Sequence, residues 1–178
     1  MLSKNEGIIV RSVILLRGIN VGGHAKLPMK ELCEILNQLG AKNPRHYIQS
    51  GNIVIDGTVD NETLSQAIEA AKGFKPHVLV LSQEMFMEIT ARPPVSEPDG
   101  KLLHIWFTTA PFTFNHAKAE TLRAKTETIF LLENAIYLHA PEGIGRSKLA
   151  SKMEALAGVS CTARNMNTVR KLLLMLEG

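Results

Sequence analysis

The sequence predicts an α+β protein: two ferredoxin-like lobes, each β-α-β-β-α-β, packed as one compact unit with a helix at the C-terminus. Three observations predict it. Short runs of β-branched and aliphatic residues alternate with segments that are apolar at helical spacing. The order of these runs occurs once in residues 1–81 and again in 102–178. Between them, "RPPVSEPDGK" has the prolines and glycine of a linker. The repetition is one of pattern, because the residues of the halves barely align.

"GIIVRSVILLRG" (Gly7 to Gly18) is rich in β-branched and aliphatic residues and reads as the first strand. A glycine loop follows. "LPMKELCEILNQLG" then places Met29, Leu32, Ile35, Leu36 and Leu39 on one helical face, with Pro28 suited to the first turn and Gly40 to the C′ position. "HYIQSGNIVIDG" reads as two short strands about a turn at Ser50-Gly51-Asn52. Asp60 or Asn61 stands where it can cap a helix carrying Leu64, Ala67, Ile68 and Ala71. "HVLVLS" completes the first lobe. Ser82 precedes a connecting helix, "QEMFMEITA", which with the linker spans 82–101.

The second lobe opens on the strand "LLHIWFTTA". Asn115 precedes a helix with Ala119 and Leu122, and "TIFLLENAIYLHA" reads as two strands about a Glu133-Asn134 turn. "SKLASKMEALAG" is a helix with Leu149, Met153 and Leu156 inward, stopped by Gly158. "VSCTAR" is a strand, and "NTVRKLLLMLE" a helix burying Val169, Leu172, Leu173 and Leu176. The first and third strands of each plait are central. Both are taken to run into helices at the same end, so that the loops leaving them sit side by side.

Hydrophobic residues make up 45% of the 178, enough for a core and too many for a disordered chain. A net charge of +3 gives little bulk attraction to nucleic acid and leaves room only for a local basic patch. Two cysteines do not make a disulfide framework, and Cys33 lies in an apolar helical pattern that suggests burial. The six histidines lack H-x-x-x-H spacing, so no metal site and no cofactor are expected. The first residues lack the form of a signal peptide, and no apolar run reaches membrane-spanning length. The sequon at Asn61 carries no meaning without secretion. The expectation is a cytoplasmic protein.

Four motifs share one chemistry: arginine or lysine among Gly, Ser and Asn. "LLRGINVGGHAKLPM" breaks from strand to glycines at Arg17, with Gly18, Asn20, Gly22 and Gly23 following. It is neither a Walker A loop nor a dinucleotide fingerprint. Glycines between strand and helix still let backbone N–H groups approach an anion, and Arg17 adds a bidentate donor, with Lys26 a diffuse charge. A tight turn would need the same glycines. "YIQSGN" places Gln49, Ser50 and Asn52 around Gly51, as a hairpin turn would, and Gln49 is the residue a turn does not require. "EGIGRSKL" combines flexible glycines, a capping Ser147 and the basic pair Arg146 and Lys148. "TARNMNTVRKL" holds Arg164, Asn165 and Asn167. One asparagine is expected to cap the last helix, with Arg170 and Lys171 on its wet face.

"LLRGINVGG", "YIQSGN", "GRSKL" and "TARNMNTVRKL", in this order, resemble a mostly bacterial family catalogued as domain of unknown function 1697. The resemblance implies a compact α/β protein and assigns no activity. It also implies an aromatic after the Arg-Asn pair of the last motif, where this chain has Met166.

No Ser, Cys or Thr has an evident His and acid beside it, and Glu142 is the only acid in the four motifs. Two-carboxylate hydrolysis and carboxylate-held Mg²⁺ are therefore disfavoured. His24, His46 and His139 lie near motifs as candidate bases. The leading expectation is a site for a phosphate- or carboxylate-bearing small molecule. The alternatives are binding of RNA or single-stranded nucleic acid, poorly served by 5% aromatics, and a non-catalytic interaction protein whose motifs hold the two lobes together.

Overall fold

A computed structural model describes residues 9–178, so Gly7 and Ile8 of the expected first strand lie outside the described residues. The chain divides into two compact units, Met1–Glu84 and Met85–Gly178. In the first, strand β1 (Arg11–Arg17) leads to helix α1 (Met29–Gln38), strands β2 (Lys42–Tyr47) and β3 (Asn52–Asp56), helix α2 (Asn61–Lys72) and strand β4 (His77–Ser82). The four strands form an antiparallel sheet in the order β2-β3-β1-β4, the ferredoxin-like arrangement.

Alternation decides which face each strand residue takes. Ile14, Leu16, Ile53 and Ile55 meet Leu32 and Leu36 of α1 and Leu64 and Ile68 of α2 in one core. The intervening residues Val13, Leu15 and Val54 are equally apolar and fully buried. Helix ends follow the expected chemistry. Asp60 caps α2 by accepting from Thr63 N at 2.9 Å, and the neighbouring Asn61 Oδ1 accepts from Val80 N. Pro28 stands just before α1 and supplies no side-chain cap. Strand β2 begins at Lys42, earlier than "HYIQ" suggests, because the chain reaches its pairing through a register irregularity spanning Asn43 and Pro44. Cys33 is half-buried rather than core, its Sγ 3.8 Å from Pro44 O.

The second unit repeats the order. Helix α3 (Gln83–Thr90) leads into strand β5 (Leu103–Phe107), helix α4 (His116–Leu122), strands β6 (Thr128–Leu131) and β7 (Ala135–His139), helix α5 (Lys148–Ala157), strand β8 (Thr162–Asn165) and helix α6 (Met166–Glu177). Its antiparallel sheet is ordered β6-β7-β5-β8. Trp106, Ile136 and Leu138 pack with Leu149, Met153 and Leu156 of α5 and Ala119 of α4. The other face carries Ile105, Phe107 and Tyr137, all fully buried. Phe86 of α3 stacks on Phe107 at 5.5 Å, and α6 packs along β5 and β8. This sheet therefore has helices on both faces, where a plait has them on one: α4 and α5 cover one face, and α3 and α6 the other. Among the described residues no helix is long and apolar enough to cross a membrane.

Tyr137 illustrates the cost of a polar atom in that layer. Its hydroxyl donates to Ile89 O at 2.9 Å, and burial pushes the phenol up to about 12. Below pH 10 folded and unfolded chains both keep this proton, so folding is indifferent to it. Between pH 10 and 12 only the unfolded chain loses it, and stability falls. Thermal melts should show that this alkaline loss shrinks in Tyr137→Phe, which at neutral pH costs about 1 kcal/mol for the lost hydrogen bond.

Candidate functional site

Strand direction sets which motifs meet. Because β1 and β3 are antiparallel, the loops leaving them lie at opposite ends of the sheet, contrary to the side-by-side expectation. The loop after β1 instead meets the β2–β3 turn. Leu16 N donates to Gly51 O at 2.8 Å, and Asn20 Nδ2 donates to Gln49 O at 2.8 Å.

Asn20 fastens this corner. It has a positive φ of 53°, a conformation asparagine tolerates better than most residues. Its Nδ2 also donates to Leu27 O at 2.9 Å, while its Oδ1 accepts from Leu27 N at 2.8 Å. Between these anchors, Val21-Gly22-Gly23-His24 makes a tight turn closed by His24 N on Val21 O at 3.0 Å. Gly22 and Gly23 have φ of 58° and 78°, the signs a type I′ turn needs at both central positions. Gly18 also has positive φ. The glycines thus have a local explanation.

The "YIQSGN" turn is built the same way. Asn52 is fully buried, and its Nδ2 donates to Tyr47 O at 3.1 Å and to Ser50 Oγ at 2.8 Å. Gly51 has φ 78°, and a Cβ there would come within 2.6 Å of Leu16 Cβ. The Gln49 side chain is exposed, and it is its carbonyl that holds Asn20. Ile48 is half-exposed with φ 50°, a strained conformation for a β-branched residue.

In the second unit the other two motifs share an end. Ala140 N donates to Leu102 O, just before β5, and Asn165 pairs with His104 at the start of β5. After Gly143, a 3-10 turn (Ile144–Arg146) delivers Ser147 as the buried N-cap of α5, accepting from Ala150 N at 3.0 Å. Arg146 and Lys148 flank it, both exposed.

The last motif is a clasp on the linker. Asn165 Oδ1 caps α6 by accepting from Thr168 N at 3.0 Å, and Met166 N donates to Gly100 O at 3.0 Å. Gly100 is buried against Asn167 with no room for a Cβ. Arg170 donates to Glu97 O at 2.6 Å, Pro98 O at 3.2 Å and Asn167 Oδ1 at 3.4 Å, so it does more than line a wet face. The Glu97 carboxylate meets His139 Nε2 at 2.8 Å and accepts from Asp99 N at 3.0 Å. His139 is thereby a linker anchor. Met166 is 2% exposed, which makes its position a core one with no stacking surface. The sequence reading missed Glu97, Gly100 and Arg170, because their partners lie some seventy residues away.

Two arginines remain. Arg164 lies on the α6 side of its sheet, opposite Ile105. Its Nη1 donates to Ala163 O at 2.8 Å, and burial pulls its guanidinium down to about 10, so it stays charged at neutral pH. Neither it nor Arg17 is without a partner. His104 was not singled out by the sequence. Its Nδ1 is buried without a hydrogen bond, and burial lowers its pKa, so it is neutral at pH 7. No cluster of three or more His, Cys, Asp or Glu suited to a metal exists among the described residues.

Asn20→Ala removes three hydrogen bonds and strands the Leu27 groups. It should cost about 3 kcal/mol in denaturant unfolding. Asn20→Asp keeps the acceptor for Leu27 N but turns a carboxylate oxygen toward the Leu27 and Gln49 carbonyls, so it should not recover that loss.

A solved structure of a conserved bacterial protein from Streptococcus pneumoniae is similar to this chain. Its TM-score is 0.71 at 26% identity, covering 94% of this chain and 99% of that one. No curated protein matches. The family model described as "protein of unknown function (DUF1697)" matches residues 9–137, so it contains the Asn20 corner and the "YIQSGN" turn, while the α5 and α6 motifs follow its end. The chain belongs to that DUF1697 family.

Proposed function

We propose that the chain binds a small phosphate- or carboxylate-bearing molecule, and that the seat is the Gly143–Lys148 loop at the start of α5. One observation carries this reading. Asn20, Ser50, Asn52, Ser147, Asn165 and Asn167 all have side-chain hydrogen bonds inside the protein. Arg146 and Lys148 do not: neither side chain makes a hydrogen bond or ion pair among the described residues, although Lys148 O accepts from Ser151 Oγ. They flank the N-cap of a ten-residue helix whose first turn carries no acid, so dipole and side chains favour an anion together.

The same hydrogen bonds support a second reading, a non-catalytic interaction protein in which the motifs are internal fasteners. Nucleic-acid binding is supported least. The plait mode stacks bases on aromatics of the central strands, and here Val13, Leu15, Ile105, Phe107 and Tyr137 on those strands are fully buried.

Thermal shift with pyrophosphate, nucleotides and sugar phosphates separates the first two readings. Binding at a hundredfold excess over Kd is worth about 2.7 kcal/mol, which moves Tm by roughly 5–10 °C in a chain this size. Arg146→Ala with Lys148→Ala should abolish the shift without lowering Tm in the absence of ligand. No shift across the panel removes the anion reading and leaves the fasteners.

A further inference from the structure

The opposite end of the second unit holds a cleft of about 520 Å³ that none of the four motifs touches. One wall is the loop leaving β5, with Phe112 and Phe114. The other is the β6–β7 turn, with Leu132, Glu133 and Asn134, and His116 at the start of α4 lies beside them. In the first unit the corresponding corner, where the loop after the first strand meets the hairpin turn, is closed by the Asn20 amide. In the second unit no side-chain amide bridges the corner among the described residues, and phenylalanines stand there instead.

The walls are fixed. Thr108 N donates to Asn134 O at 3.0 Å, as Leu16 N does to Gly51 O in the first unit. Ala110 N donates to Thr108 Oγ1 at 3.1 Å, and Asn115 N donates to Leu156 O at 2.9 Å. The volume falls within the range of small-molecule sites. The lining contains no Lys or Arg. Arg123, beside the adjoining hollow, is held by Glu120 at 2.9 Å. The Glu133 carboxylate and the Asn134 side chain have no hydrogen bond among the described residues, and Leu132 is 43% exposed at the mouth. Phe114 is 8% exposed and meets His116 edge-on, with centroids 5.2 Å apart at 77°.

We infer that this cleft binds a small ligand with a flat apolar body and a hydrogen-bond-donating end, uncharged or cationic, between Phe112, Phe114 and Leu132, with the donor toward Glu133 and Asn134. Aromatic walls favour a ring over a flexible chain, and an unpaired carboxylate without a nearby free cation disfavours anions. The site is distinct from the anion seat at the start of α5, and neither depends on the other.

The test uses the whole chain and N-phenyl-1-naphthylamine, an uncharged fluorescent amine. Saturable binding to one site is expected, weakened at least tenfold by Phe112→Ala and by Leu132→Lys, and unchanged by Arg146→Ala with Lys148→Ala. Leu132→Lys alters an exposed side chain and carries the test if Phe112→Ala fails to fold. In competition, 1-naphthylmethylamine should displace the probe several-fold better than 1-naphthoate, and Glu133→Gln should erase that preference. Non-saturable fluorescence, binding insensitive to Leu132→Lys, or a preference for naphthoate would each overturn the inference. So would a dimer that Leu132→Lys dissolves, since a second copy would then be what covers the cleft.

Discussion

In an antiparallel sheet ordered β2-β3-β1-β4, the end of β1 lies beside the β2–β3 turn and a strand's length from the end of β3. This constraint governs every motif. It brings Arg17–Pro28 against Tyr47–Asn52 in the first unit, and it brings Glu142–Lys148 to the end where β8 hands over to α6 in the second. Motifs that share a residue style in the sequence are thus sorted into pairs by strand direction. Each pair must then be satisfied locally, since a backbone group left without a partner at a buried strand end costs about as much as a lost hydrogen bond.

That requirement explains why asparagine recurs. Its amide donates twice and accepts twice on a short stem, so one residue can hold two chain segments at once. Asn20 holds Leu27 and Gln49, and Asn52 holds Tyr47 and Ser50. Asn165 ends β8 and starts α6 in one residue, and so gives the chain no slack at that corner. The linker is held with similar economy. Arg170 spans two carbonyls, and Glu97 meets His139, so a segment that composition marks as loose is tied to secondary structure at both ends.

What the sequence disclosed follows from the range of the interactions involved. Alternation and helical spacing are local, so the element order was legible, as were the cap Ser147 and, as one of two candidates, Asp60. Strand β2 was read short because Pro44 and the irregularity beside it conceal the pairing of Lys42. The side-by-side expectation failed because pattern does not carry strand direction. The role of Arg170 was hidden by its distance along the chain from Glu97 and Pro98, and the second covered face of the β5 sheet by the separation of Phe86 from Phe107 in sequence. The cleft had a visible trace, the phenylalanines of "PFTFNH", but Phe114 belongs to the core and Phe112 packs against it, so only the facing turn shows that they also line a cleft.

Once internal hydrogen bonds are subtracted, the second unit presents two different surfaces at the two ends of one strand. β5 has five residues, so its ends stand about 17 Å apart at roughly 3.4 Å per residue. The basic end holds Arg146 and Lys148, and the apolar end holds Phe112 and Leu132 with Glu133. That separation is about two Debye lengths at physiological salt, so the charges at one end are largely screened from the other. Short phosphate metabolites cannot reach from one end to the other. A molecule that engaged both would need an anionic group and a flat apolar group held apart by an extended spacer. Such a molecule would lose affinity in steps when the two ends are altered one at a time, whereas two independent ligands would each respond to one end alone.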